Sequence, residues 1–372
     1  MKFLPFHRPT ISARHVRAVS QAVRSGWLTS AGKVVEFENA FAKRVGAKHA
    51  IAVNSCTAAL HLALLAKGVG PGDEVITSPI TFASAVNVIE HVGAKPVFVD
   101  VLPEDLTINP YRVRDAITKR TKLIIATHFA GWPAHMFGLH EVAKSIPILA
   151  DAAHGIETEY WGVKSGGIGE MSAYSFYATK NITSGEGGML TTHDARLAER
   201  ARLLRLHGMT KSAWDRYGPS GYKHWDITEP GWKYNLGDVQ AALGLAQLAD
   251  MDSWLKKRVA LDRASRKLLD GIVPCLTRRE SNTKGAHHLF VVFVPKRDLV
   301  MDVKQRMGVG VGVHFRAVHL LEYYRKKYKL AGTLPVAESA SDRVLSLPLY
   351  PSMTLKDVRR VVDVLLVALT MP

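Results

Sequence analysis

Residues 50–67 read AIAVNSCTAALHLALLAK, and the change of rhythm inside them sets the fold class. Ala50-Ile51-Ala52-Val53 is a short apolar, strand-like run. From Thr57 to Lys67 the residues Leu60, Ala63, Leu64 and Lys67 recur at helical spacing. The same unit repeats outward along the chain. Val75-Ile76-Thr77 precedes a helix over Ala83–Val92, and Pro96–Asp100 and Leu123–Thr127 read as strands. Pro147–Ala150, Ala173–Tyr177 and Gly188–Thr192 continue the series before a helix at Ala195–Leu206. Strands separated by helices of this length need crossover connections, hence a largely parallel sheet. Near Asn235 the rhythm changes. Val239–Leu269 reads as one long helix or two abutting ones, His288–Val294 and Val311–Phe315 as strands, and Leu355–Leu369 as a final helix. The expectation is a large α/β domain over residues 1–245, with its N-terminal segment, and a smaller C-terminal α+β domain over 246–372.

Composition agrees with a folded chain. Of 372 residues, 47% are hydrophobic and 22% charged, which excludes a disordered tail protein, a collagen and a coiled coil. The most apolar late run, Val361-Val362-Asp363-Val364-Leu365-Leu366, is far short of a membrane span and holds a carboxylate. The opening MKFLPFHRPTISARHV has Pro5 and basic residues where a signal peptide needs an apolar core. Two distant cysteines, Cys56 and Cys275, support neither a disulfide framework nor a Cys-rich metal site. A cytoplasmic protein without a membrane anchor is expected. The net charge of +16 is the one oddity. Its groups (Lys256-Lys257-Arg258, Arg278-Arg279, Arg325-Lys326-Lys327, Arg359-Arg360) are short and scattered, with no basic arm, zinc-finger spacing or aromatic RNA-binding signature. Solvated surface is favoured over a nucleic-acid interface.

Three stretches carry chemistry. In Ala150-Asp151-Ala152-Ala153-His154-Gly155, Asp151 ends an apolar strand, where open α/β sheets bind ligands. It is either a helix N-cap or a buried carboxylate awaiting a cation. His154, taken alone, fits a structural histidine as well as a catalytic one. In Ser175-Phe176-Tyr177-Ala178-Thr179-Lys180-Asn181, Lys180 follows a strand and precedes the glycine-rich Gly185-Glu186-Gly187-Gly188. Partly desolvated, its amine would be a Schiff-base nucleophile. An Asp that keeps a pyridine nitrogen protonated, with a Lys that forms an imine, is what pyridoxal phosphate (PLP) requires. The third stretch, Asn54-Ser55-Cys56-Thr57, runs from a strand into a helix, so free N–H groups would face a phosphate. Phe82 is either core or a ring stacked on the pyridine face.

Together these residues resemble the DegT/StrS-type nucleotide-sugar aminotransferases on the aspartate-aminotransferase fold (PLP fold type I). The resemblance spans nearly the whole chain. It runs through Phe6-His7-Arg8-Pro9, Gly26-Trp27-Leu28-Thr29, the Asp151 and Lys180 elements, Lys233-Tyr234-Asn235-Leu236 and Gln240-Ala241-Ala242-Leu243-Gly244. It ends with Val313-His314-Phe315-Arg316-Ala317-Val318-His319, Tyr323-Tyr324-Arg325 and Leu345-Ser346-Leu347-Pro348-Leu349. The His-Phe-Arg-Ala and Lys-Tyr-Asn-Leu segments look most like enzymes that aminate C4 of a UDP-4-keto-pentose in lipid A modification. The resemblance implies transamination from L-glutamate, releasing 2-oxoglutarate, in a homodimer with shared sites. It implies Lys180 as imine former and proton carrier, Asp151 on the pyridine nitrogen, and Phe82 against the ring. Cys56, Thr57 and Ser175 would hold the phosphate, and His154 would belong to the cofactor site. Asn235 would reach the partner subunit's phosphate, with Trp27, Thr29, His314 and His319 towards the sugar nucleotide. Trp214 through Tyr234, rich in tryptophan and tyrosine, reads equally as a stabilising loop or a substrate loop.

Three rivals remain. A deoxysugar dehydratase of the same fold would carry histidine where Lys180 stands. Amination at C3, or a GDP- or dTDP-linked sugar, stays open. A basic regulatory protein on an inactivated scaffold is opposed by the intact Lys180, Asp151 and Ser175 set.

Overall fold

In a computed structural model describing residues 2–210, 224–277 and 281–371, the alternation seen in the sequence becomes a seven-stranded sheet. The strands are β1 (His49–Val53), β2 (Glu74–Thr77), β3 (Lys95–Phe98), β4 (Thr121–Thr127), β5 (Ile148–Asp151), β8 (Met171–Ser175) and β9 (Gly188–Thr192). A side hairpin, β6 (Glu159–Tyr160) and β7 (Val163–Lys164), intervenes between β5 and β8. The order is β1-β9-β8-β5-β4-β2-β3. β8, β5, β4, β2 and β3 pair in parallel, while β9 runs antiparallel to both of its neighbours.

Both faces of the sheet are buried, and successive residues alternate between them as a pleated strand requires. Ile51 and Val53 join one apolar cluster with Leu60, Leu64, Ile125 and Leu190. Ala50 and Ala52 join another, with Phe37, Phe41 and Tyr174. After α1 (Ala13–Arg24), α2 (Gly32–Val45) covers the second cluster, and α3 (Cys56–Ala66) covers the first. The α3 residues Ala58–Leu64 are buried on every side, which explains why this helix lacks a polar face.

The segment expected at Val239–Leu269 is two abutting helices, Asp238–Leu248 and Met251–Leu269. The latter packs against the terminal helix Leu355–Thr370 over a small antiparallel pair, Phe290–Phe293 with Val344–Leu347. The strand expected at Val311–Phe315 is only a single bridge, Gly312 to Ser346. Beyond it the His314 side chain, not the backbone, engages Ser346, through Nδ1 and Oγ at 3.0 Å. The first residues cross to this C-terminal core: Leu4 is buried there, exchanging backbone hydrogen bonds with Gly308 and Gly310. Of the notable sequence features, Trp214, Tyr217 and Tyr222 and the Arg278-Arg279 pair lie outside the described residues. No helix among the described residues is long and apolar enough to cross a membrane.

One group in the C-terminal core works against stability. Lys304, on helix Arg297–Arg306, is fully buried, with its Nζ donating to the Val361 carbonyl at 2.9 Å. Burial lowers its pKa to about 7. The folded value lies below the unfolded one, so between these two pH values the unfolded chain binds more protons. Stability from this group is therefore full above pH ~10 and is lost as pH falls to about 7. Lys304→Met should abolish that slope. Denaturant titrations at pH 7 and 9 should show wild type gaining on the order of 2 kcal/mol more than the variant over this interval.

Candidate active site

The carboxyl ends of the parallel strands open into a cavity of about 500 Å³. Asp151, the last residue of β5, lies on its floor beside its register partner Thr127 at the end of β4. Asp151 is 5% exposed and accepts the Ala153 N–H at 3.2 Å, with the Cys56 thiol 3.9 Å away. Burial pushes its pKa up. No helix begins after Asp151, since the next element is β6, so the N-cap reading fails; no cationic side chain of the described residues comes within ion-pair distance, and the buried carboxylate stands.

Lys180 sits on the turn after β8, which is closed by its N–H donating to the Tyr177 carbonyl at 2.9 Å. Its side chain enters the same cavity as Asp151. Burial lowers the ammonium to about 8, although Cys56 and Asp151 act in the opposite direction. The desolvation inferred from sequence is therefore present.

A third wall is the start of α3. Ser55 caps it, accepting the Ala58 N–H at 3.1 Å, which leaves earlier N–H groups of the first turn open to the cavity at the positive end of the helix. Gly188 makes this approach possible: a Cβ there would stand 2.4 Å from the Ser55 carbonyl. Ser175 lines the cavity next to Cys56 and Thr57. Phe82 is 64% exposed at the rim, 6.3 Å from the Phe315 ring, so it is not a core residue. His154 and His314 also line the cavity. Burial holds His154 well below the usual histidine range and His314 at about 4, and the Lys180 charge adds to both effects.

The remaining expected residues lie elsewhere in this chain. His319 is fully buried behind the wall, with its Nε2 3.1 Å from Glu338. Trp27 and Thr29 are on the turn between α1 and α2, outside the cavity. Asn235 bridges to Val53 and donates its side-chain N–H to Ser30 Oγ at 2.8 Å, also outside it. Sequence reasoning overlooked Thr127, Tyr177, Glu186 and Phe315 as lining residues. The strand-end rule that singled out Asp151 applied equally to Thr127. Glu186 already stood inside the glycine-rich turn.

Comparison with known proteins agrees with this geometry. Residues 9–366 match the model of the DegT/DnrJ/EryC1/StrS aminotransferase family, and the chain belongs to that family. It is 45% identical to the spore coat polysaccharide biosynthesis protein SpsC of Bacillus subtilis (strain 168), over 97% of this chain and 96% of that one. Among solved structures it resembles the PLP form of the putative sugar aminotransferase Spr1654 from Streptococcus pneumoniae. There the TM-score is 0.92 at 28% identity, covering 99% of this chain and all (100%) of that one. DesV of S. venezuelae gives a TM-score of 0.90 at 31% identity, with 99% and 100% coverage. The protein is a PLP-dependent sugar aminotransferase of fold type I.

The residues present fit that cofactor. The buried carboxylate of Asp151, without an ion-pair partner among the described residues, suits a protonated pyridine nitrogen, the α3 N-terminus and Ser175 suit a phosphate, and the Lys180 side chain lines the same cavity. A buried His154 Nδ1 without a hydrogen-bond partner is a further polar atom facing away from water. Because the Lys180 pKa is lowered to about 8, its neutral fraction rises through this pH. Cofactor-free protein should capture added PLP faster as pH rises from 7 to 9, with a midpoint near 8. Stopped-flow absorbance would follow this, and Lys180→Ala should show no such pH-dependent phase.

Proposed function

We propose that the protein transfers the amino group of L-glutamate to the C4 carbonyl of a UDP-linked 4-keto sugar, yielding 2-oxoglutarate and a 4-amino sugar nucleotide. The observation that carries the chemistry is the single cavity holding Lys180, Asp151 and the α3 N-terminus. Its extension to His314 and Phe315, in the His-Phe-Arg segment, supports the choice of sugar class. The name of the relative SpsC, a polysaccharide biosynthesis protein, supports an activated sugar as acceptor.

In this reading Lys180 holds the cofactor and, once displaced by the amino donor, carries the proton removed from its α-carbon. When bound, PLP supplies the electron sink for that proton loss. Asp151 keeps the ring nitrogen protonated. Ser175, Thr57 and the backbone at Cys56 hold the phosphate, and Phe82 lies against the ring. His154, kept neutral by burial, offers one N–H into the cofactor site. Burial lowers the Lys180 pKa to about 8, which raises the share of neutral, nucleophilic amine near neutral pH.

Two outcomes test the chemistry. Incubated with L-glutamate and UDP-, dTDP- or GDP-linked 4-keto sugars, the enzyme should release 2-oxoglutarate fastest with the UDP-linked sugar. Equal rates with all three would remove the nucleotide assignment. Asp151→Asn should keep much of its cofactor but lose about a hundredfold in turnover, since an amide cannot hold the ring proton. Near-normal turnover would exclude the role given to Asp151.

The same reading places Asn235 in the active site of a second subunit across a two-fold axis. Its position outside its own chain's cavity supports this. Mixing inactive Lys180→Ala with inactive Asn235→Ala protein should then restore activity, because a mixed dimer leaves one site free of both lesions. If no activity returns after subunit exchange, each site is built from one chain.

A further inference from the structure

Behind the cavity lies a second polar cluster that none of these roles uses. Arg258, on helix Met251–Leu269, and Glu157, just after His154, form an ion pair whose side chains are each 2% exposed. Taking both charges out of water costs about as much as their attraction returns, so such a pair is weak evidence for stability. This one is also incompletely satisfied: Arg258 Nη1 is buried without a hydrogen-bond partner.

The pair is nevertheless connected to the residue next to Lys180. Glu157 Oε2 accepts from Asn181 Nδ2 at 2.7 Å. The same amide donates to the Ala286 carbonyl at 3.1 Å, which also receives Arg258 Nε–H at 3.2 Å. Both amide hydrogens are thereby committed, which fixes Asn181 Oδ1 as the acceptor of the His288 Nδ1–H at 2.9 Å. Burial holds His288 well below the usual histidine range, so it carries one proton. Its ring lies 4.4 Å from that of His154, which lines the cavity. Lys180 and His154 are thus anchored to one buried hub. Arg258, Glu157, Asn181 and His288 themselves line none of the cofactor cavity.

We propose that Arg258 is a positioning residue for Lys180, acting through Glu157 and Asn181, and that the buried ion pair sets geometry rather than stability. Without the guanidinium, Glu157 is a buried carboxylate with its ion-pair partner removed, and it no longer holds the Asn181 amide in one orientation. The Lys180 turn is left without that side-chain anchor. Displacement of a reacting group by about 1 Å costs on the order of a hundredfold in rate.

This inference rests on Lys180 being the lysine that takes the cofactor. Borohydride reduction followed by peptide mapping tests that premise separately: label on another lysine removes the premise, whatever the variants do. The test of the relay uses holoenzyme carrying Arg258→Met with Glu157→Leu, Asn181→Leu, or all three. Apolar replacement of both charges should preserve the melting temperature. Turnover should fall at least about tenfold, with KM for the amino donor changed less than about threefold. The pH midpoint of the bound cofactor's absorbance should move by about 0.5 unit or more. Asn181→Leu should reproduce these changes, and the triple variant should add nothing further. Arg258→Lys, which still meets Glu157, should recover part of the loss. Wild-type turnover and midpoint in the double variant, or losses that multiply in the triple, would overturn the proposal. Should the double variant not fold, Asn181→Leu and His288→Phe decide: an unshifted midpoint in both overturns it.

Discussion

A carboxylate at the end of β5, 5% exposed and without an ion-pair partner among the described residues, is the constraint around which the sheet's cavity is arranged. An isolated buried carboxylate is among the least favourable groups a fold can contain. In the proposed reading the protonated ring of the cofactor supplies the compensating charge beside it. β4 and β8 flank β5 and hold Asp151 at the centre of the sheet, where parallel strands all direct their carboxyl ends to one side. The opposite charge preference is met on another wall of the same cavity. There β9, through Gly188, lets the start of α3 come into contact and offer N–H groups to an anion. The dryness that raises the Asp151 pKa also lowers that of Lys180. One physical cause therefore prepares an acid to hold a proton partner and an amine to lose one. A more hydrated pocket would weaken both together.

The parts of this arrangement that depend on local rhythm were legible in the sequence. Short apolar runs placed β1, β2, β3, β4, β5, β8 and β9, and helical spacing placed α3 to within a residue. Lys180, Asp151, Thr57 and Ser175, read from strand ends and one helix start, do meet around one cavity. Features set by distant partners were not legible. Nothing near Gly188 signals that β9 runs antiparallel, because that depends on a return connection that no local pattern records. His319 lies five residues beyond His314, yet a short 3₁₀ turn at Val318–Leu320 buries it against Glu338 while His314 faces the cavity. The Arg258–Glu157 pair joins residues 101 positions apart, so Lys256-Lys257-Arg258 read as a surface charge group when its last member is a buried one.

The two halves of the molecule divide the work of the site unequally. Groups that suit the cofactor come from the sheet, the turns that leave it and the start of α3, and Asp151 among them is held by backbone pairing on both sides. The outer wall comes from Val313, His314 and Phe315, which belong to the C-terminal unit. His314 is fixed there by Ser346 and by the stacked ring of Phe6, 5.4 Å away, and Phe6, Val313 and Phe315 pack against a cluster that also holds Ile80, Val86 and Phe129. That wall therefore shares a hydrophobic cluster with the segments that follow β2 and β4, and the Phe315 ring stacks on that of His154 at 5.7 Å. The Asn181 hub is a second connection between the two halves, since His288 and Arg258 reach it from C-terminal elements while Glu157 reaches it from the connection after β5. Lys180 is therefore tied to the C-terminal half both by hydrogen bonds through its neighbour Asn181 and by the wall of its own cavity.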